Sequence, residues 1–560
     1  MRAATAVLGG PAGWRFGVGA GALSGALVAL SLPPFGWWPL GWIGLAVLAA
    51  ALPGRPWKQR LATGAAFGVV DYVIGLLWVQ EFSVPGYVAV VVVSALYALL
   101  AVALVPTARR GWVAVGLPCT FVLADWARDR FPLGGLPLAG LALGQASGPL
   151  APVLRLGGSL ALVAETVLIG VALAAVARLV WVLARRRQNG PGDTLGPVAA
   201  LAVAVVAVAV VLPVAGAISP SGAGGHLPPI RIGLVQGGGP RGTRAVNTDP
   251  QVVFDRHLAE ASQLAGPLDL VVWPEGVLQS HQPYTSSVDA AEVSRLAAQH
   301  RAAFLVGVEQ DVGANRYLNE VVVWNRRGDV VGRYVKNHLV PFGEYVPFRA
   351  LIKQLFNITD VPLDAIPGHQ PGFVRTPAGP VAVMISYEVF FDERARGGVR
   401  AGGQLLVVPT NTASYRSTQV PTQEVAADRM RAWETGRWLV QVTPTGYTTV
   451  VSPTGAVTRK SHLDAASVVE ATVARRTGMT VYDHIGDPVV ALLALAGWLA
   501  VAGTALANRD LANRAVRRRA LAGLPGRRRG RRPASSPAQP VEESPPHTSG
   551  ISVNSRRLDP

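Results

Sequence analysis

Apolar positions along the chain fall into two textures that change near residue 218. Before it, mostly apolar runs lie near 15–32, 38–53, 62–80, 87–106, 111–127, 157–184 and 196–217, and an eighth follows at 487–507. A helix of about 20 such residues crosses the hydrocarbon of a bilayer. The pattern therefore predicts a polytopic α-helical membrane domain of about eight spans. Asp71 and Asp125 interrupt the third and fifth runs. The first run has the length of a signal peptide, but the spans behind it predict that it is retained.

From about 228 the runs shorten and become β-branched, alternating with amphipathic stretches. IRIGLVQ (230–236), LDLVVWPE (268–275), AAFLVGVEQ, LNEVVVWN, GDVVGRYVKN, PVAVMIS (380–386), QLLVVPT (404–410), RWLVQVT (437–443) and TTVVSP (448–453) read as strands. Helices are predicted over 249–265, near 287–300 and over 419–435. Continuously apolar strands alternating with helices predict a layered α/β domain. Polar residues ending such strands are where sites are assembled, and Glu275 and Ser386 both sit there. The predicted division is 1–217 for seven spans, 218–486 for the α/β domain, 487–507 for the eighth span and 508–560 for a tail.

Charge orients this arrangement. The loops GRPWKQRL (54–61), TARR (107–110) and RRRQ (from 185) are basic and alternate along the chain, whereas EFSVPG (81–86) carries no positive charge. Basic loops stay cytoplasmic, so both termini are expected inside and the 218–486 domain outside. Arg128, Arg130 and Arg155, on the outer side, run against this count. The tail, with RRRGRR and SSPAQPVEESPPHTSG, holds too few apolar residues for a core and is expected to be disordered. Beside a last span its arginines fit anionic lipid headgroups, and no nucleic-acid partner is expected. Cys119, the single cysteine, lies in the apolar run GLPCTFVLA and reads as a small hydrophobe.

Three places carry candidate chemistry. Glu275 follows a proline at a strand end in VVWPEGVL; Lys336 lies in YVKNHLVPFGEYVPF; Ser386 closes a strand in MISYEVFF. Only four of the 51 basic residues are lysines, so Lys336 suggests a need for a compact ammonium of adjustable pKa. Together these segments resemble the apolipoprotein N-acyltransferase family, whose outer domain belongs to the nitrilase superfamily. KNHLVPFGEYVPF is the most specific piece; WPE and the frame of SYEVFF support it in the right order, and DRFPLGGLPLAGLALGQ (129–145) and DRMRAWETGRWLVQVTPTG (428–446) are similar to further family segments.

The resemblance implies an extracytoplasmic nitrilase-like α-β-β-α sandwich in a bacterial cell membrane protein. It implies Glu275 as general base, Lys336 as cationic stabiliser of an oxyanion, Glu344 as second acid, and Tyr387 and Glu388 as the pair after the nucleophile. The implied reaction moves an acyl group from a membrane phospholipid, through an acyl-enzyme, to the amine of a diacylglyceryl-cysteine apolipoprotein. It calls for no metal and no cofactor, and suggests a polyprenol-phosphate-mannose synthase as a candidate partner. The chain departs from the family where it matters: the nucleophilic Cys is Ser386. Thr412, Ser414 and Pro444 also replace family residues, and VQGGGPRGTRAVN lacks a tryptophan expected there. A hydroxyl is less acidic than a thiol of reference pKa about 8.5. Two readings follow, an N-acyltransferase using an oxygen nucleophile and a catalytically impaired paralogue that binds lipid or scaffolds another envelope enzyme. His338, two residues after Lys336, reads as structural.

Overall fold

A computed structural model describes residues 11–189, 195–242, 248–355 and 361–522. Part of VQGGGPRGTRAVN and the predicted disordered tail beyond 522 lie outside the described residues. The N-terminal helices are α1 (Pro11–Ala29), α2 (Trp38–Ala51), α3 (Trp57–Gly75), α4 (Val79–Phe82), α5 (Val84–Ala103), α6 (Arg110–Arg128), α7 (Leu154–Asn189) and α8 (Leu195–Ile218). Local chemistry starts them where the chain allows. Proline occupies the first turn of α2 and α5, where no intrahelical donor is needed. Ser83 caps α5, its Oγ accepting from the Gly86 amide at 3.2 Å. Gly21 and Gly25 let α1 and α3 touch, since a Cβ at either would come within 2.3 Å of the Thr63 or Phe67 carbonyl.

Segments Val84–Ala103, Ala151–Arg187, Gly196–Ile218 and Val481–Arg514 are long and apolar enough to cross a membrane, with mean hydropathy of 2.2 or more. α2 is as apolar but 14 residues long. α7 is broken at Gly157–Gly158, and a Cβ on Gly158 (φ +63°) would meet the Tyr482 ring at 2.5 Å.

The α/β domain holds two sheets. One runs β14 (Ser467–Val473), β1 (Ile230–Gln236), β2 (Leu270–Val272), β4 (Ala303–Val312), β5 (Arg316–Trp324) and β6 (Val330–Val335), with β3 (Leu278–Ser280) on β4 and β7 (Asp364–Ala365) on β5. The other runs β13 (Val457–Lys460), β12 (Thr449–Val451), β11 (Leu439–Val442), β10 (Leu406–Pro409), β9 (Gly379–Val383) and β8 (Phe373–Thr376). β9, β10 and β11 are parallel neighbours. Ile232, Leu234, Leu270 and Val272 of the first sheet meet Val383, Val407 and Val440 of the second in a fully buried layer. Each such side chain contributes about 1.5–3 kcal/mol by leaving water.

Helices α9 (Pro250–Ala261) and α10 (Val288–His300) cover the first sheet with a core of Phe254, Trp273, Val293 and Leu296. On the second sheet lie α12 (Asp392–Arg400) and α13 (Gln419–Thr435), after the short α11 (Arg349–Leu355). This is the expected α-β-β-α sandwich. The second helix layer shares one continuous core with the N-terminal bundle, through residues such as Val389, Ala426 and Met430. Polar contacts fix the junction. Gln419 Nε2 donates to the Ile74 and Gly75 carbonyls at the end of α3, and Ser159 Oγ of α7 donates to Glu434 at 3.0 Å. The last helix, α14 (Val481–Ala522), bends at Gly486. The chain separates into compact units at Leu506, and the described part of the second is the end of that helix.

The three arginines that opposed the charge count are engaged in the protein. Arg128 pairs with Asp125 at 3.0 Å, Arg130 with Asp487 at 2.8 Å, and the Arg155 guanidinium lies 4.4 Å over the Trp433 ring. Cys119 is half-buried, with its sulfur facing Gly497 of α14.

Candidate active site

Glu275 follows β2 by three residues. The strand is shorter than predicted, but the Trp273 amide continues its pairing to the Leu305 carbonyl before the chain turns. Gly276 then has φ +67°, with the Glu309 carboxylate 2.8 Å from where a Cβ would stand. Lys336 comes directly after β6, its amide donating to the Asn319 carbonyl and its carbonyl accepting from Gly368. Glu344 lies in the loop beyond, where its Oε2 accepts from the Val340 amide at 2.7 Å.

The fold brings these three together. Lys336 Nζ stands 2.7 Å from Glu275 Oε1 and 3.0 Å from Glu344 Oε2, and all three are at least nine-tenths buried. Asn319 of β5 completes the cluster, its Nδ2 donating to Glu275 Oε1 at 2.7 Å and to Glu344 Oε1 at 2.6 Å. Asn319 was not anticipated. It sits inside LNEVVVWN, which reads as strand, and only the β5 register aims its amide at two carboxylates. Two acids and one ammonium leave the cluster with an excess negative charge. Burial works against the Lys336 charge, but the two carboxylates outweigh it and hold the pKa above the ordinary lysine value. The adjustable ammonium expected from sequence is instead a fixed cation. Burial raises the Glu344 carboxyl, opposed by Lys336.

Ser386 does not end the strand as predicted. β9 stops at Val383, Met384 makes one more bond to Val407, and Ser386 opens a short 3-10 turn through Phe390. Its φ is +49°, a left-handed conformation costing a non-glycine residue about 1–2 kcal/mol. Such strain is kept where surrounding contacts over-determine the turn. Here Glu388 does so. Its carboxylate accepts from the Ile385 amide at 2.8 Å, the Asn337 amide at 2.8 Å, the His338 amide at 3.2 Å and the Tyr334 hydroxyl at 2.7 Å. The Ser386 turn and the chain after Lys336 are thus tied to one buried anion. Hydrogen bonds to a charged group are worth about 1.5–3 kcal/mol each.

Tyr387 reaches another way. Its hydroxyl donates to the Gly135 carbonyl at 3.1 Å, in the loop after α6, and its ring meets Phe391 edge-on at 5.1 Å. Burial raises its pKa, so it remains a neutral donor. His338 stacks on Phe391 at 4.0 Å, and burial lowers its pKa. Among the described residues none hydrogen-bonds to Ser386 Oγ.

Two further acids surround the cluster. Burial and the charges of Glu275 and Glu344 push Glu309 up to about 8. Glu424 of α13 is buried, with Oε1 accepting from Thr410 at 2.8 Å beyond β10, and burial pushes it up to about 8. Thr412 and Thr443, at the ends of neighbouring strands, approach to 3.5 Å, and the Pro444 carbonyl accepts from Gly238. Neither acid had a motif to mark it.

An α-β-β-α sandwich carrying a Glu–Lys–Glu cluster, seated on apolar helices, defines a membrane-bound enzyme of the carbon–nitrogen hydrolase class. Residues 231–480 match the carbon-nitrogen hydrolase family, and residues 24–172 match the apolipoprotein N-acyltransferase N-terminal domain. An apolipoprotein N-acyltransferase from Mycolicibacterium smegmatis is 30% identical over 542 residues, covering 90% of each chain. One from Geobacter metallireducens is 29% identical over 87% of this chain and 95% of its own. Another, from Azotobacter vinelandii, is 30% identical over 82% and 89%. The chain belongs to the apolipoprotein N-acyltransferase family, and with it to the membrane proteins.

Proposed function

We propose that this chain transfers an acyl group from a membrane phospholipid to the α-amine of a diacylglyceryl-cysteine apolipoprotein. The observation that carries this is the buried Glu275–Lys336–Glu344 cluster, bridged by Asn319 and tied through Glu388 to the turn bearing Ser386. Glu275 takes the Ser386 hydroxyl proton as Oγ attacks the donor ester carbonyl. Lys336 offers fixed positive charge to the oxygen that becomes anionic. The ester C–O bond breaks, the lysolipid alcohol leaves with the proton from Glu275, and an oxyester remains on Ser386. The deprotonated amine then attacks. One N–H proton passes through Glu275 to Ser386 Oγ, and the amide leaves. Glu344 and Asn319 hold Glu275 and Lys336 in register, while Glu388 and Tyr387 position the turn.

The domain limits 1–217, 218–486, 487–507 and 508–560 belong to the same reading. So do about eight spans in the bacterial cytoplasmic membrane, cytoplasmic termini and an outer 218–486 domain. The basic loops support it, as do the carboxylate partners of Arg128 and Arg130. The suggested polyprenol-phosphate-mannose synthase partner rests on resemblance alone.

The test is complementation of a strain depleted of its own N-acyltransferase, with mass spectrometry of a lipoprotein N-terminal peptide. Wild type, Ser386→Cys and Ser386→Ala are compared. Triacylated peptide from wild type and none from Ser386→Ala is expected. Diacylated peptide alone from well-expressed wild type would reject catalysis by this chain and leave the scaffold reading standing.

A further inference from the structure

The helix bundle treats its cations differently at its two ends. α3 and α6 are each 19 residues long, about 28 Å, close to the roughly 30 Å of bilayer hydrocarbon. Both finish against the catalytic domain, α3 at Gly75 and α6 through the loop holding Gly135. At that end Arg128 and Arg130 have carboxylate partners. Both helices start at the far end, in basic loops that converge. The Gly54 amide donates to the Thr107 carbonyl at 2.7 Å, and Thr107 Oγ1 donates to the Arg55 carbonyl at 3.0 Å. α6 packs along α7, which sets Arg110 close enough to Arg178 for their charges to repel. Here the cations find indoles instead of acids. Lys58 lies 5.8 Å over Trp57, Arg109 lies 5.2 Å over Trp112, and Arg178 and Arg185 lie 4.2 and 4.1 Å from the Trp181 ring. Among the described residues no carboxylate pairs with Arg109, Arg110 or Arg185, and the stretches 54–61, 104–112 and 178–192 contain no Asp or Glu.

Chemistry narrows the ligand. A guanidinium stacked on an indole is held in place while its N–H edge stays free, and that edge matches two oxygens of one phosphate. Trp181 is exposed, as indoles at headgroup level are. Val180 and Leu183 beside it and Leu104 at the end of α5 are exposed too, so an acyl chain can lie along the flank where a free phosphate has nothing to add. A zwitterionic headgroup would bring a further cation into a place already crowded with them. An anionic headgroup brings none. The full length of the helices separates this seam from the catalytic domain, so its lipid is not the acyl donor.

We infer that the seam between α6 and α7, with Arg109 and Arg110 on one side and Arg178, Trp181 and Arg185 on the other, binds the phosphodiester of an anionic phospholipid in the leaflet opposite the catalytic domain.

Full-length wild type, the pair Arg110→Gln with Arg185→Gln, and the pair Arg186→Gln with Arg187→Gln are reconstituted in equal parts phosphatidylglycerol and phosphatidylcholine. Native mass spectrometry reads the lipid each retains, which needs no acyl transfer. Both pairs remove the same charge at the same end of the bundle, but only the first removes guanidiniums of the seam. Wild type and the second pair are expected to retain phosphatidylglycerol over phosphatidylcholine. The first pair should lower that preference about thirtyfold, about fivefold for each arginine lost. An equal fall in both pairs would assign the preference to bulk charge and overturn the site, as would wild type that retains the two lipids alike. Arg110→Lys with Arg185→Lys keeps the charge that orients the helices and carries the test where the glutamine pair fails to insert. An ammonium has no fork to offer, so part of the preference should be lost; the full wild-type preference in that pair would refute recognition by the guanidiniums.

Discussion

Glu424→Gln exchanges a buried acid for an amide of the same shape that still accepts from Thr410 Oγ1. Burial is the first cause of the raised carboxyl; the Glu275 charge adds to it, while Thr410 and Lys336 oppose it. The folded chain holds this proton up to about pH 8, whereas the unfolded chain releases it near the ordinary 4.5. Between those values the unfolded state binds fewer protons than the folded state, so wild-type stability is fully present below 4.5 and falls as pH rises toward 8. The slope is about 1.4 kcal/mol per pH unit for one group, on the order of 4–5 kcal/mol across the window. Glutamine has no proton to lose. The stability of Glu424→Gln minus that of wild type should be near zero at pH 4.5, grow through neutrality and level off above 8. Denaturant unfolding of both proteins in one lipid system at half-unit pH steps measures that difference directly, and groups common to both cancel. A difference that stays flat from pH 5 to 8 would refute the reasoning.

Lys336→Met leaves Glu275 and Glu344 facing each other with only Asn319 between them. It should cost about 3–5 kcal/mol in unfolding free energy and lower turnover by about 10²–10³-fold; single-turnover acyl-enzyme formation beside thermal unfolding checks both. Gly158→Ala forces a Cβ against the Tyr482 ring at a backbone angle reserved for glycine, so about 3 kcal/mol or more should be lost, read as a lower melting temperature with unaltered donor selectivity. Burial holds His257 down to about 4, with Nδ1 on the Val253 carbonyl. That stability is present above 6.5 and lost as pH falls from 6.5 toward 4, by about 1.4 kcal/mol per unit at most. His257→Asn should flatten this acid limb, and an unchanged limb would exclude His257 as its source.

Legibility followed burial. β1 and α13 fall on the predicted residues because each is bounded by turn chemistry and strongly patterned. β13 (VTRK) and β14 (SVVEATV) escaped the reading because they lie at sheet edges and are exposed or half-buried, so their apolar signal is weak. β3 and β7 are three and two residues long and exist only through their pairing with β4 and β5. Lys336, Glu275 and Glu344 were readable from motifs, whereas Asn319 and Glu424 acquire their meaning from register and from a helix face. Arg128 misled the charge count for the same reason, since its partner Asp125 lies a turn away in what reads as a span.

The charge around Ser386 bears on whether a hydroxyl can serve there. With Glu309 and Glu424 ionised as ordinary glutamates, Glu275, Glu344 and those two would set four negative charges against Lys336. With both held near 8, they are mostly neutral at pH 7, and two carboxylates face one ammonium. A thiolate could form in advance and be held by Lys336. A hydroxyl instead sheds its proton only as it attacks, so its transition state depends more on the surrounding field. Two protonated acids reduce the repulsion an oxyanion meets. The same two protons make the site vulnerable at alkaline pH. Their loss adds negative charge around Glu275 and Lys336, in the range where a more basic medium would otherwise favour an oxygen nucleophile.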